Sequence, residues 1–357
     1  MKRTFAIFAV LLVALMAVSN AALPAQATSN QEATATPAAT SDPLGGATEF
    51  AKATQPTDIK VMLDWTPNTN HAGLYIAQEK GYFKDANLNV ELLPPGDALP
   101  EQVVGLNTVQ FGVSYSEGFS FNRVSGVPIV SIAAILQHNT SGFAALHEKH
   151  PLKTPADLKG LRYGAFGSPI EQPFIDTLMK CEGVTDSTIE MINVGYVDPL
   201  PLLERDKIDF TWLFYGWDGL RSQVAGLPLD IIMLKDYTQC VPDYYTPILI
   251  TNEEMIKTQP DVVKAFVQAA ARGYADAIKN PAEAADILLK AAPDLDPALV
   301  KLSAEWLASQ YQADASQWGE QQAEVWQKFV DFMVTNKVLD KAYDVNAAFT
   351  NDYLPRK

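Results

Sequence analysis

Between Ile59 and Thr251 the chain alternates short β-branched and aromatic runs with amphipathic stretches, and beyond Thr251 it becomes almost continuously helical in pattern. Strand-like runs fall at 59–63, 89–93, 110–114, 129–135, 143–147, 161–165, 189–194, 208–214, 230–234 and 246–251, separated by helical stretches such as 98–106, 169–182 and 198–205. Alternation on this scale predicts an α/β protein whose parallel sheets carry helices on both faces. The later helices announce their starts: the segment from Thr251 through Glu254, Pro260 with Asp261, Asn280 with Pro281 and Asp296 with Pro297 each offer a capping side chain or an early proline. Such an order implies a chain that leaves one lobe, builds a second and returns to finish the first. Lobe 1 is expected over 58–147 and 246–357, and lobe 2 over 148–245. Folds of this two-lobed kind close on a ligand by hinge motion.

An internal echo supports two lobes. Residues 105–118 and 203–219 share one plan: a helix end, a turn, a strand carrying Phe, then a loop of aromatic, acid and glycine. Both loops would face the cleft between the lobes.

The ends of the chain read differently from its middle. The first 27 residues combine Lys2 and Arg3, an apolar run over 5–18 and the small-residue exit Ala25-Gln26-Ala27, the pattern of a secretory signal peptide, either cleaved or kept as a membrane anchor. No Cys follows the apolar run, so a lipid-anchored form is not expected. Residues 28–57 are mostly Ala, Thr, Ser and Pro, too poor in bulky apolar groups to offset the entropy of ordering, and read as a flexible tether of roughly 30 Å. Removing the signal takes the formal net charge from −15 to −17, because its only charges are two cations. A chain this acidic is a poor fit to nucleic acid or to an anionic membrane surface. Cys181 and Cys240 lack metal-ligand spacing and are either a disulfide or two separate buried thiols.

Functional chemistry concentrates in Asp64-Trp65-Thr66-Pro67-Asn68-Thr69-Asn70-His71-Ala72-Gly73, which links the first strand to a helix. Loops leaving the carboxyl ends of strands line the crevice in open α/β sheets. Trp65 is placed to stack on a planar ligand, while Asp64, Asn68 and His71 can bond its polar edge. Asn70 is the better candidate to cap the following helix. Tyr115 and Glu117 close the third strand, and Glu171 opens a second-lobe helix after Ser168 and Pro169. Tyr215, Trp217 and Asp218 are expected to form an aromatic wall opposite Trp65. Phe119 and Trp212 add to the aromatic supply.

Catalytic signatures are missing from the sequence: it has no phosphate-binding Gly-rich loop, no Gly-x-Ser-x-Gly elbow and no His-Glu-x-x-His. His138, His147 and His150 read as an exposed polar loop rather than a metal site. Trp306, Tyr311, Trp318 and Trp326 have core-packing spacings in the first lobe's outer helices.

From about residue 58 to 338 the chain resembles the thiamine-pyrimidine family of ABC-importer solute-binding proteins, which also includes a pyrimidine synthase. The resemblance is carried by the 64–73 segment, by Gly81-Tyr82-Phe83, by Asp157-Leu158-Lys159-Gly160 and by Gly167-Ser168-Pro169-Ile170-Glu171. It implies a type II binding-protein fold with a vitamin or vitamin precursor held between the lobes, Trp65 stacking on its ring and Glu171 bonding its heteroatoms. The synthase branch uses a cysteine-rich iron site near the second-lobe helix start, where this chain has Gly167, Ser168 and Pro169. The riboflavin-binding branch is the nearer resemblance. The expected protein is therefore an extracytoplasmic monomer, without cofactor or metal, that passes riboflavin to a membrane permease. A formylaminopyrimidine or hydroxymethylpyrimidine is the alternative cargo, and a pyrimidine-synthesis enzyme the remote one.

Overall fold

The computed structural model describes residues 41–96, 98–186 and 188–356, so the expected signal peptide lies outside the described residues. The strands are β1 (Thr57–Met62), β2 (Leu88–Leu93), β3 (Phe111–Ser114), β4 (Ile129–Ala134), β5 (Ser141–Leu146), β6 (Arg162–Ala165), β7 (Glu190–Asn193), β8 (Phe210–Phe214), β9 (Leu229–Met233) and β10 (Ile248–Asn252). Each lies within two residues of a run expected from the sequence pattern. They form two five-stranded sheets, in the orders β2-β1-β3-β10-β4 and β7-β6-β8-β5-β9. The second order repeats the first, and the echoed strands β3 and β8 hold the same central position in their sheets.

Neither sheet is purely parallel, contrary to the expectation. β10 runs antiparallel to both β3 and β4, and β5 runs antiparallel to both β8 and β9. The reversal follows from the connectivity: β5 and β10 are the strands on which the chain enters one lobe and re-enters the other, so each inserts head-on between strands of opposite direction. The first crossing also comes earlier than expected. All of β5 belongs to the second sheet, which moves the lobe boundary from residue 147 to before Ser141. The fully buried β4 and β5 (Ile-Val-Ser-Ile-Ala-Ala and Ser-Gly-Phe-Ala-Ala-Leu) read as apolar runs, not alternating ones, because both faces are covered.

Seven helices of eight residues or more occur among the described residues: α1 (Ala72–Glu79), α2 (Ser116–Val124), α3 (Glu171–Cys181), α4 (Pro260–Lys279), α5 (Pro281–Ala291), α6 (Pro297–Ala308) and α7 (Ala323–Thr335). Asn280 and Asp296 cap α5 and α6 through their side chains, as expected. No helix among the described residues is long and apolar enough to cross a membrane. α1 and α4 approach so closely that a Cβ on Gly273 would lie 1.9 Å from the Gly73 carbonyl oxygen, and one on Gly73 would meet the Tyr274 ring at 2.3 Å. α7 straddles the lobes: Trp326 and Val330 pack with first-lobe residues, while Phe329, Phe332 and Met333 join the core of the second sheet.

The tether expected over 28–57 does not extend through its described part. Residues 43–54 run along lobe 1: Trp318 N–H donates to the Pro43 carbonyl (3.0 Å), Ala51 N–H to Gln268 (2.7 Å), Ala53 N–H to the Ala86 carbonyl (3.0 Å) and Thr54 N–H to Asp261 (2.9 Å). Main-chain amides hold this strap together with Leu44, which packs against the lobe 1 core, and Phe50, which lies under Arg272 at 5.0 Å.

Cys181, at the end of α3, and Cys240 form a disulfide. The two crossings between lobes are also tied together, because Asp243 on the second accepts from Asn139 N–H (2.9 Å) and bonds His138 Nδ1 (2.5 Å) on the first. His147 and His150 sit elsewhere, beside Asp230 (3.0 Å) and Asp209 (3.2 Å) respectively. Of the four aromatics assigned to helix packing, Tyr311, Trp318 and Trp326 are buried. Trp306 is partly buried against the same first-lobe core and also meets the second lobe, with its ring 5.0 Å from that of Tyr215.

Candidate functional site

The loop after β1 is organised from within. Asn68, in extended backbone, accepts the Asn70 N–H on its Oδ1 (2.9 Å) and donates Nδ2 to the Thr66 carbonyl (3.1 Å), while its own N–H donates to His71 Nδ1 (3.2 Å). Asn68 is therefore the cap, not Asn70, whose carbonyl accepts from the Tyr274 hydroxyl (2.7 Å). Because His71 Nδ1 accepts, its Nε2 carries the proton and donates to Asp64 Oδ1 (2.6 Å). Asp64 also takes a hydrogen bond from the Tyr115 hydroxyl. Burial pushes the Asp64 carboxyl upward, but His71 and the two hydrogen bonds outweigh it and hold the group below the usual carboxylate range. Asn68 and His71, expected to touch ligand, are buried with these atoms engaged in the loop itself. Their work is to fix Asp64 and to aim its neighbour.

That neighbour, Trp65, is one of the few large apolar side chains left open, at 37 % exposure. Its ring faces Tyr196 of the other lobe, with centroids 6.3 Å apart and planes inclined by 48°. Tyr196 is 70 % exposed and follows Gly195, whose φ of +72° turns the chain after β7. On its other side Tyr196 packs against Phe166 (5.4 Å), which in turn meets Trp212 (5.8 Å). Sequence reasoning passed over Tyr196. Its one signal was an aromatic residue in a glycine-led turn at the carboxyl end of a second-lobe strand.

Tyr115 stacks on Phe214 of β8 (5.8 Å), so the ends of the two echoed strands meet across the lobes. Glu117, in the first turn of α2, accepts the Tyr244 hydroxyl on Oε1 (2.6 Å), and its Oε2 is buried without a partner. Burial pushes this carboxyl up to about 7. Glu101, also buried, accepts from Ser114 Oγ and is likewise raised by burial.

Glu171 is placed differently from the expectation. It is fully buried, and its carboxylate accepts four hydrogen bonds: Gly167 N–H (2.8 Å) and Ser168 N–H (2.6 Å) on Oε1, Phe166 N–H (3.0 Å) and the Tyr163 hydroxyl (2.7 Å) on Oε2. A carboxylate so supplied ties the 166–168 loop to α3 and is not free to bond a ligand. It positions Phe166, and through Phe166 it supports Tyr196.

The aromatic wall expected from Tyr215, Trp217 and Asp218 is also displaced. The turn Tyr215–Gly219 docks on α6: Ser303 Oγ donates to the Gly216 carbonyl, Tyr215 meets Trp306, and Trp217 packs beside Leu288, Val300 and Ala304. Gly216 permits this approach, since a Cβ there would lie 3.0 Å from the Trp306 ring. Asp218 is pushed up to about 6 by burial, against the opposing pull of Arg221 at 3.2 Å. This turn is a seam between lobes rather than a face opposite Trp65.

Carboxyl groups crowd this region. Tyr196 feels the charges of Glu171, Glu101 and Glu117, and Tyr115 those of Asp64, Glu117 and Glu101. Among the described residues, the only basic side chain bonded to any of these four acids is His71. Two aromatic jaws over an acid-rich, cation-poor interior suit a flat molecule that presents N–H groups.

Two lobes of one repeated strand order, joined by paired crossings and facing each other through aromatic side chains, define the periplasmic binding-protein fold. The alkanesulfonate-binding protein SsuA from Xanthomonas axonopodis pv. citri has the same fold, with a TM-score of 0.65 at 12% identity over 84% of this chain and 99% of its own. The NMT1/THI5 like family model matches residues 68–284, and the chain belongs to that family. Among relatives, the formylaminopyrimidine-binding protein of Halalkalibacterium halodurans is 27% identical over 82% of this chain and 89% of its own. The riboflavin-binding protein RibY of Chloroflexus aurantiacus is 23% identical over 84% and 88%. A 4-amino-5-hydroxymethyl-2-methylpyrimidine phosphate synthase from Legionella pneumophila is 25% identical over 83% and 92%.

Proposed function

We propose that this chain is the solute-binding subunit of an ABC importer and that it captures a small amino-substituted pyrimidine between Trp65 and Tyr196. The supporting observation is the pairing of these two open rings, one from each lobe, 6.3 Å apart. A planar ring sandwiched between two aromatics needs about 7 Å between them, so a small rotation of the lobes accommodates it, and each stacked face adds roughly 1 kcal/mol beyond area burial. The nearby Asp64 and Glu117 would accept the amino hydrogens.

The runner-up cargo is riboflavin, favoured by the run of rings from Tyr196 through Phe166 to Trp212, which extends the stacking surface beyond what one pyrimidine covers. Titration separates the two. A formylaminopyrimidine binding at micromolar concentration with Trp65→Ala abolishing the signal supports the first reading, whereas strong quenching of riboflavin's own fluorescence, with no response to the pyrimidine, supports the second.

An extracytoplasmic setting agrees with the Cys181–Cys240 disulfide, since such bonds persist in oxidising compartments. Delivery to a membrane permease by a monomeric carrier completes the reading. An enzymatic role has less to support it: both cysteines are joined to each other, and the 166–168 loop offers backbone amides to Glu171 in place of metal-binding side chains.

A further inference from the structure

Glu117 carries chemistry that stacking between Trp65 and Tyr196 does not require. Its carboxyl is buried with one bonded oxygen and one bare oxygen, and among the described residues the only side chain bonding it is the neutral hydroxyl of Tyr244. On the far side of that hydroxyl lies Asn139. The Asn139 Oδ1 accepts Ser141 N–H (2.7 Å) and Ser141 Oγ (2.6 Å), and the Asn139 side chain also hydrogen-bonds the Tyr244 hydroxyl. A bare carboxylate oxygen therefore sits beside a tyrosine whose hydroxyl is engaged by both Glu117 and Asn139, where α2 of lobe 1 meets both crossings. Buried polar atoms are bonded in the great majority of cases, so the bare Glu117 Oε2 is an acceptor with room for a partner.

Tyr244, from the second crossing, bonds the Glu117 carboxyl, and Tyr115 and Tyr196, the latter from the opposite lobe, also feel its charge. Glu101 and Asp64 act on Tyr115 from the same quarter, and the forces acting on Glu117 itself are burial, the Tyr244 hydrogen bond and its own backbone amide. A carboxylate held this way, out of water and without a cation, favours its protonated form until a donor arrives.

We propose that Glu117 is the proton-linked anchor of this site, giving up its proton as the free oxygen Oε2 accepts an N–H of the incoming heterocycle. The proposal rests on the pyrimidine reading for the identity of the donor, but not for the behaviour of the empty protein. On capture, the O–H bond of the Glu117 carboxylic acid breaks, the proton passes to solvent, and a charge-assisted N–H···O⁻ hydrogen bond replaces it. Affinity then weakens in acid, because protons compete with the ligand for Oε2.

The full-length protein provides a two-part test. Carbon-13 NMR of glutamate carboxyls, compared between wild type and Glu117→Gln, follows Glu117 in the ligand-free state. A midpoint near 7 supports the proposal, matching the value to which burial pushes this group, and a midpoint below about 5, the ordinary carboxylate range, overturns it. Tyr244→Phe provides a second variant, in which loss of the one hydroxyl donor moves the midpoint upward. Calorimetry with 4-amino-2-methylpyrimidine then reads the linkage. Binding about tenfold weaker at about pH 6 than at about pH 8, with proton release and with the dependence abolished in Glu117→Gln, is expected. A pH-independent Kd, or tighter binding in acid, overturns the donor assignment. Absence of any pyrimidine binding removes the ligand reading instead, and the NMR midpoint still decides whether Glu117 is the exchanging acid.

Discussion

Glu171 shows how far a residue's neighbours decide its role. A carboxylate at the start of a second-lobe helix looks from sequence like a ligand contact, but the 166–168 backbone wraps around it, and nothing in the sequence pattern announces those three amides. Replacement by Ala would strand four donors and is expected to lower stability by on the order of 3 kcal/mol in denaturant unfolding. Gln should fail to rescue it fully, because its Nε2 is a donor facing donors; a fully stable Glu171→Gln protein would contradict this tethering role. Asn68 and Asn70 differ as caps by two positions only, a distinction set by backbone dihedrals that spacing does not reveal. Glu117 is the residue whose titration reaches the whole protein. Its folded value is raised from 4.5 to about 7, so its contribution to stability is complete below about 4.5 and is lost as pH rises through 7. In ligand-free protein, wild type should therefore lose roughly 3 kcal/mol relative to Glu117→Gln over that window, an order-of-magnitude figure from the same shift. Parallel stability curves for the two proteins would argue against it.

At the scale of elements the sequence is most transparent. Hydrophobic runs and capping residues located every described strand, and the Asn280 and Asp296 caps sit at the helix starts they promised. What periodicity cannot convey is how closely two elements approach. Gly73, part of the site's leading segment, looks like loop chemistry, yet its lack of a Cβ lets α1 lie against Tyr274, while Gly273 receives the Gly73 carbonyl. Gly273→Ala should force the two helices apart at a cost of about 2 kcal/mol or more and should weaken ligand binding by shifting the loop that aims Trp65. Thermal unfolding alongside a binding titration checks both effects. The Cys181–Cys240 bridge closes a sequence separation of 59 residues within lobe 2, and its loss in a double Ser variant is expected to lower stability by up to about 4 kcal/mol in the loop-entropy model. Sequence left that pair open, since pairing depends on where α3 ends relative to the segment before the second crossing.

For the whole molecule, alternation followed by helices pointed to two lobes, and the echo between residues 105–118 and 203–219 corresponds to strands with equivalent positions in the two sheets. The mixed strand directions and the early first crossing were not legible, because both depend on where a re-entering strand inserts. The same gap hid the true partner of Trp65. Tyr215 and Trp217 share the right loop type, but their turn is occupied by α6, whereas Tyr196 reaches the cleft from a short loop with little pattern of its own. On the proposed function, ligand capture turns on this one pair of rings. Isothermal titration of the purified protein with formylaminopyrimidine, carried out on wild type, Trp65→Ala, Tyr196→Ala and Tyr215→Ala, tests it most directly. Micromolar binding that falls at least about tenfold in both the Trp65 and Tyr196 variants, the equivalent of about 1.4 kcal/mol, and stays near wild type in the Tyr215 variant is the predicted result. Binding that survives loss of Tyr196 but not of Tyr215 would contradict the Trp65–Tyr196 clamp.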